Sequence, residues 1–267
     1  MTPEMSEFSF GYALTSELIH HYEMALVGAP RFPTQNEEGK IGGYDVSIPR
    51  YGVPLFLQFK RSECLVRTNA AEAARLGVPY YRMHLMAKRF SAQHDLLLDL
   101  ENGGNEVYYA APRFHTLKEL NKVYLSSCVA TQTSFIRPSW ISSLPDDKDH
   151  YVAIRSDDHV WLMCSKEPRE IPSRSSNKVL RSDIKDAAVS RRQKMDNNFF
   201  RDLGDRLISS YEESVRARRE AYKMTEEDFE PTRKRARAIR ADRRPTEYAQ
   251  EVSQMLFGCE MLIALAD

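Results

Sequence analysis

The stretch from Gly43 to Lys60 restricts the fold more than any other part of the chain. Two apolar runs, Tyr44 to Ile48 and Leu55 to Lys60, flank a segment marked by Pro49, Gly52 and Pro54. That pattern reads as two strands joined by a turn. Successive side chains of a strand point to opposite faces. Tyr44, Val46 and Ile48 therefore share one face of the first strand, and Leu55, Leu57 and Phe59 share one face of the second. Those faces are expected to be core. The opposite faces carry Asp45 and Ser47 on one strand, and Phe56, Gln58 and Lys60 on the other. With the loop centred on Tyr51 and Gly52, Asp45 stands across from Gln58, with Cβ atoms roughly 5 Å apart. An acid, an amide oxygen and an ammonium group then converge at one end of a half-buried sheet.

That trio suits phosphodiester hydrolysis. A carboxylate and a neighbouring oxygen can hold a hard cation such as Mg²⁺, which keeps several waters and contacts a phosphate. The metal acidifies a bound water and offsets charge growing on phosphorus. Lys60 would orient the water or stabilise the pentavalent oxygens. The competing reading is a plain surface pair between Asp45 and Lys60, worth less than about 1 kcal/mol.

Asp45, a hairpin and then Gln58-x-Lys60 resemble the PD-(D/E)XK nuclease superfamily, in the Mrr-type variant where Gln replaces the second acid. The resemblance implies a restriction endonuclease-like α/β fold, with a mixed central sheet flanked by helices. It implies Asp45, Gln58 and Lys60 as catalytic residues acting on DNA with Mg²⁺ or Mn²⁺. In nucleases of this kind a first-helix glutamate often points at the metal, and Glu17 is the natural candidate, with Glu23 as its substitute. A solvated helix-surface acid is the other reading of Glu17. The resemblance also suggests the effector subunit of a prokaryotic antiphage or restriction system, working with a partner subunit. A nuclease-fold chain whose site has decayed, serving as a nucleic-acid- or partner-binding assembly subunit, is the alternative.

At 267 residues the chain can bury one large core or two modest ones. Its formal net charge is zero, so any nucleic-acid contact depends on where charge is placed. Cys64, Cys128, Cys164 and Cys259 are scattered without a close pair, which argues against a zinc site and for free thiols in a reducing compartment. The acidic start has no apolar signal core, and no stretch matches a membrane span. A cytoplasmic protein is expected.

Taken in order, apolar positions from Gly11 to Val27 follow helical spacing, with Thr15 or Ser16 as a cap. The loop from Ala29 to Gly39 offers Arg31 and Gln35 to phosphate or base edges, and Glu37 or Glu38 as a further carboxylate. Helices are expected over 68–76, 91–101 and 116–123, and strands over 79–86 and 106–111. Gln93, His94 and Asp95 fall in a helix first turn, where they cap the helix or grip a phosphate. His84 on its strand is read as structural or facing the cleft. Further strands are expected over 124–136, near Trp140, and over 151–155 and 160–164. Asp146 to His150 reads as a solvated turn.

A nuclease-like α/β domain over 1–165 and a helical, charge-rich region over 166–267 are the expected division. The latter carries Arg216, Arg218, Arg219, Lys223, Arg235 and Arg237 among its basic residues, a pattern that binds nucleic acid by displacing counterions or forms a salt-bridged face. Pro245 to Asp267 reads as one last helix, packed on its own domain or offered to a protein partner.

Overall fold

The computed structural model describes residues 1–21, 24–26, 51–69, 72–155, 161–164, 169–171, 176–191, 193–223, 234, 238–239 and 244–265. In chain order the described elements are α1 (Glu7–His21), β1 (Met24–Leu26), β2 (Tyr51–Phe59), β3 (Ser62–Leu65), α2 (Ala73–Leu76), β4 (Tyr80–Leu85) and α3 (Gln93–Asn102). They continue with β5 (Glu106–Pro112), α4 (Leu117–Leu125), β6 (Thr133–Ile136), α5 (Pro138–Ile141), β7 (His150–Arg155), β8 (Trp161–Cys164) and β9 (Arg169–Ile171). The last are α6 (Ser176–Arg191), β10 (Gln193–Lys194), α7 (Asn197–Tyr222), α8 (Pro245–Val252), a π-helical turn Ser253–Phe257 and β11 (Glu260–Leu265). The protein is mixed α/β, in agreement with the expected class.

Two units interleave along the sequence. One comprises Met1–Tyr22, Phe59–Ser91 and Tyr108–Asp183, and the other Glu23–Gln58, Ala92–Val107 and Ile184–Asp267. Neither coincides with residues 1–165 or 166–267.

In the first unit β3, β4, β7, β8 and β9 form an antiparallel sheet in that order. β4 alternates as expected: Tyr81, Met83 and Leu85 are buried, whereas Arg82 and His84 face outward. β5 pairs antiparallel with β6, Tyr109 opposite Ile136. α1 buries Phe10, Ala13, Leu14 and Leu18, at the spacing that puts them on one helix face. The Phe10 ring meets Phe59 and Phe114 edge-on, each with centroids 6.0 Å apart. α1 starts at Glu7, so Thr15 and Ser16 lie inside it and cap nothing.

In the second unit β11 lies between β1 and β2, antiparallel to both. β10 pairs with the start of β2, Gln193 opposite Gly52 and Lys194 opposite Tyr51. Tyr51 and Gly52 are thus strand residues, not the centre of a turn. The expectation misread Gly52 and Pro54 as turn formers: both sit in extended backbone, where Pro54 faces Ile263. β2 is also not half-buried, since Val53, Leu55, Phe56 and Leu57 are each 1% exposed or less. Tyr44 to Ile48, the expected partner strand, lies outside the described residues.

The C-terminal segment differs from the single helix expected. α8 ends at Val252, the chain tightens through the π-helical turn, and Gly258 at φ +66° releases it into β11. The apolar run from Met261 to Leu265 fits a buried helix or a buried strand equally well. Pairing with β1 and β2 decides for strand. The same competition ends α1 at His21 and makes Met24–Leu26 a strand. Likewise residues 117–125 are helical, only Thr133–Ile136 of the expected 124–136 strand forms, and Pro138 at a helix start turns the Trp140 region into α5.

Candidate functional site

Asp45 and Arg31 lie outside the described residues, as do Arg235 and Arg237. Gln58, Lys60, Glu17 and Gln93 are described. Gln58 is the penultimate residue of β2 and is 6% exposed, although its amide carries two donors and an acceptor. Leu57 faces Glu260 across the ladder, so the next step along both strands brings Gln58 beside Cys259. The Cys259 thiol lies 4.0 Å from Gln58 Oε1. Gln93, the first residue of α3, reaches the same place from another element. A Cβ added to Gly258 would stand 3.2 Å from Gln58 Oε1 and 3.3 Å from Gln93 Nε2. Two of the residues proposed from sequence therefore meet above one glycine.

Nothing in the spacing of Gln58, Gln93 and Gly258 announces this meeting. Gly258 and Cys259 lie beside Gln58, a neighbourhood that the sequence reading missed. The one usable signal was a glycine interrupting a segment otherwise read as helix, which marks a break.

Lys60 follows the last residue of β2. Its N–H donates to the Ala110 carbonyl at 2.9 Å, which extends pairing beside β5. Its ammonium stands 5.8 Å from the centroid of the buried Tyr109 ring. Such a contact contributes about 0.5–1 kcal/mol and keeps the long side chain from sweeping freely.

Glu17 is neither solvated nor open. It is 5% exposed, and its two carboxylate oxygens accept the N–H groups of Val129 at 2.7 Å and Ala130 at 3.1 Å. Helix α1 thus holds the turn that leads into β6. The reading of Glu17 as a solvated surface acid is overturned by this burial.

Residues Asp146 to His150 organise their surroundings more than a solvated turn would. Asp147 accepts from the Arg89 N–H at 2.8 Å, and Asp149 accepts from the Ala87 N–H at 3.0 Å. His84 Nε2 stands 3.3 Å from Asp149 Oδ1 while its ring stacks on Tyr151 with centroids 5.0 Å apart. The Ala87 N–H holds the Asp149 carboxyl below its ordinary range, outweighing burial, which pushes it up, with His84 adding to the lowering. These contacts tie His84 to Asp149 and Tyr151. Among the described residues, no three His, Cys, Asp or Glu side chains gather closely enough to hold a metal. Cys64, Cys128 and Cys259 are free thiols.

A pH dependence follows from the start of α4. Thr116 accepts from the Glu119 N–H at 3.2 Å, and Glu119 Oε2 accepts from the N–H of Thr116 at 2.9 Å and of His115 at 3.0 Å. Burial pushes the Glu119 carboxyl up, but the His115 and Thr116 donors outweigh it and hold it below its ordinary value of 4.5. A folded-state value below the unfolded one stabilises the fold at higher pH, and the contribution is lost as pH falls through the lowered value. Denaturant unfolding of Glu119→Gln should therefore show a shallower loss of stability than the parent between about pH 5 and pH 3.

No helix among the described residues is long and apolar enough to cross a membrane. No family model matches the chain, and no curated protein or solved structure matches it either.

Proposed function

We propose that this chain is a metal-dependent nuclease that hydrolyses phosphodiester bonds of DNA, with Asp45, Gln58 and Lys60 as its working residues. The burial of the Gln58 amide carries the reading. A buried polar side chain is unusual in an otherwise apolar strand, and the motif reading gives Gln58 a use. A surface pair between Asp45 and Lys60 gives none.

The donor set fits a hard divalent cation. Asp45 and the amide oxygen of Gln58 are the oxygen donors that would hold Mg²⁺ or Mn²⁺, which when bound supplies charge neutralisation at the scissile phosphate. Lys60 places a fixed positive charge for the phosphate oxygens, with its ammonium 5.8 Å from the Tyr109 ring centroid. Arg31, Arg235 and Arg237, with the exposed Arg216 of α7 and Lys223 just after it, supply phosphate contacts that carry no sequence information.

The test is plasmid cleavage with Mg²⁺ or Mn²⁺ by the wild type, Asp45→Ala and Lys60→Ala. Loss of one fixed electrostatic contact at a reacting centre lowers turnover on the order of 100-fold or more, and that is the expected result for Lys60→Ala. Asp45→Ala should be inactive. Unchanged cleavage by both variants would remove the assignment.

A second reading is favoured by Glu17. Because both of its oxygens already accept backbone N–H groups, Glu17 serves the fold and does not stand beside Asp45 as a second acid. The chain would then bind DNA or a partner subunit through its C-terminal helices without cutting. Retarded migration of DNA with no cleavage in either metal selects this reading.

A further inference from the structure

We infer that the cleft between α3 and α7 is a binding site for a short peptide with free ends, its carboxylate at Arg206 and its ammonium at Glu213. The inference is independent of the nuclease reading.

The cleft has a volume of about 640 Å³, within the range of small-ligand sites. Its floor is apolar: Leu100 of α3 and Leu203 and Leu207 of α7 are each 2% exposed or less. Ser210, Ser214 and Ala217 are small, so this face of α7 leaves room beside α3. The Ser214 hydroxyl donates to Asp99 Oδ2, which fastens the two helices near Glu213.

Charge is divided along the cleft. Arg206 and Glu213 stand two helical turns apart on one face of α7, with about 10 Å between their positions along the axis. Arg206 is exposed, and its Nε donates to the Asp202 carbonyl at 3.3 Å. Among the described residues nothing else engages its guanidinium, and nothing bonds to or pairs with the exposed Glu213 carboxylate. Asp99 adds a second negative charge at the Glu213 end. A simple anion would meet repulsion at that end, and a simple cation at the other. The cleft is complementary to a molecule that carries both charges, well separated. An extended tripeptide spans about 10 Å between its termini, whereas a free amino acid has both charges on one carbon. Ser210, between the two charges, and Asn102, on the α3 wall, present a hydroxyl and an amide that no described side chain or main chain uses. Those groups match the N–H and C=O of a peptide, and a bare methylene chain would not use them.

The measurement is an NMR titration of the full chain with the tripeptide Ala-Leu-Ala in free, N-acetylated and C-amidated forms. The free peptide should shift the Leu203 and Leu207 methyl signals saturably. Removing one partner of an exposed charge pair weakens binding roughly three- to fivefold, and that is expected of each blocked form. The penalty for amidation should largely vanish in Arg206→Gln, and the penalty for acetylation in Glu213→Gln, because each substitution has already removed the partner of the lost charge. Both variants should unfold at the temperature of the wild type, since both side chains are exposed. No saturable shift, equal affinity for the three forms, or penalties that persist in both variants would overturn the inference. Equal binding by an ω-amino acid of the same length would overturn the assignment to a peptide. None of these results bears on plasmid cleavage, so the nuclease reading stands or falls separately.

Discussion

Glu17→Ala should destabilise the protein by roughly 2–5 kcal/mol, whether or not divalent metal is present. The carboxylate accepts two backbone N–H groups in a buried setting. Truncation leaves the Val129 and Ala130 donors unsatisfied, at about 1–3 kcal/mol each, and opens a void beside α1. Glu17→Gln should also lose stability, because its NH₂ end must face one of the two donors. Urea unfolding in EDTA and in Mg²⁺ is the check. A loss of the same size in both buffers assigns Glu17 to the fold. Unchanged stability in EDTA combined with weaker metal binding would restore it as a metal ligand.

Gly204→Ala should be nearly as damaging, although alanine is the better helix former by about 1 kcal/mol. Gly204 lies within α7, where a Cβ would fall 2.3 Å from Cε1 and 2.6 Å from Cδ1 of Tyr248. That ring cannot swing aside easily. It is 1% exposed on α8, and its hydroxyl donates to Asp205 Oδ1 at 2.7 Å. The two helices must separate to admit a methyl group, and overpacking of this kind costs about 1–3 kcal/mol, sometimes more. The melting temperature of Gly204→Ala should fall by several degrees. A rise would mean that the helix-propensity gain prevails and that α7 and α8 have room to spare.

These two positions show where sequence reasoning stops. Gly204 occurs in a charged helical run, where a glycine looks like a weakness, and only the ring of a residue far along the chain explains it. Glu17 was singled out as a metal-facing or solvated acid, but its partners are main-chain N–H groups, which nearly every residue has and no pattern marks. Gln58 and Lys60 were chosen because strand alternation and residue chemistry are local properties. The meeting of Gln58 with Gln93 and Gly258 was not legible, because it depends on how β11 is placed in the ladder.

By itself the sequence determined the local elements whose periodicity is strong. β4 with its outward Arg82 and His84, α3, β5, the start of α4 and the paired β7 and β8 all follow from alternation, helical spacing and capping residues. Tertiary structure decided the segments whose pattern is compatible with two conformations. Met24–Leu26 and Glu260–Leu265 became strands because each found the other, and β2 found β11 where a preceding hairpin partner was expected. The reason is physical. A helix satisfies its backbone N–H and C=O groups from within its own segment, so its residues announce it, whereas a strand depends on partners that the rest of the chain must deliver.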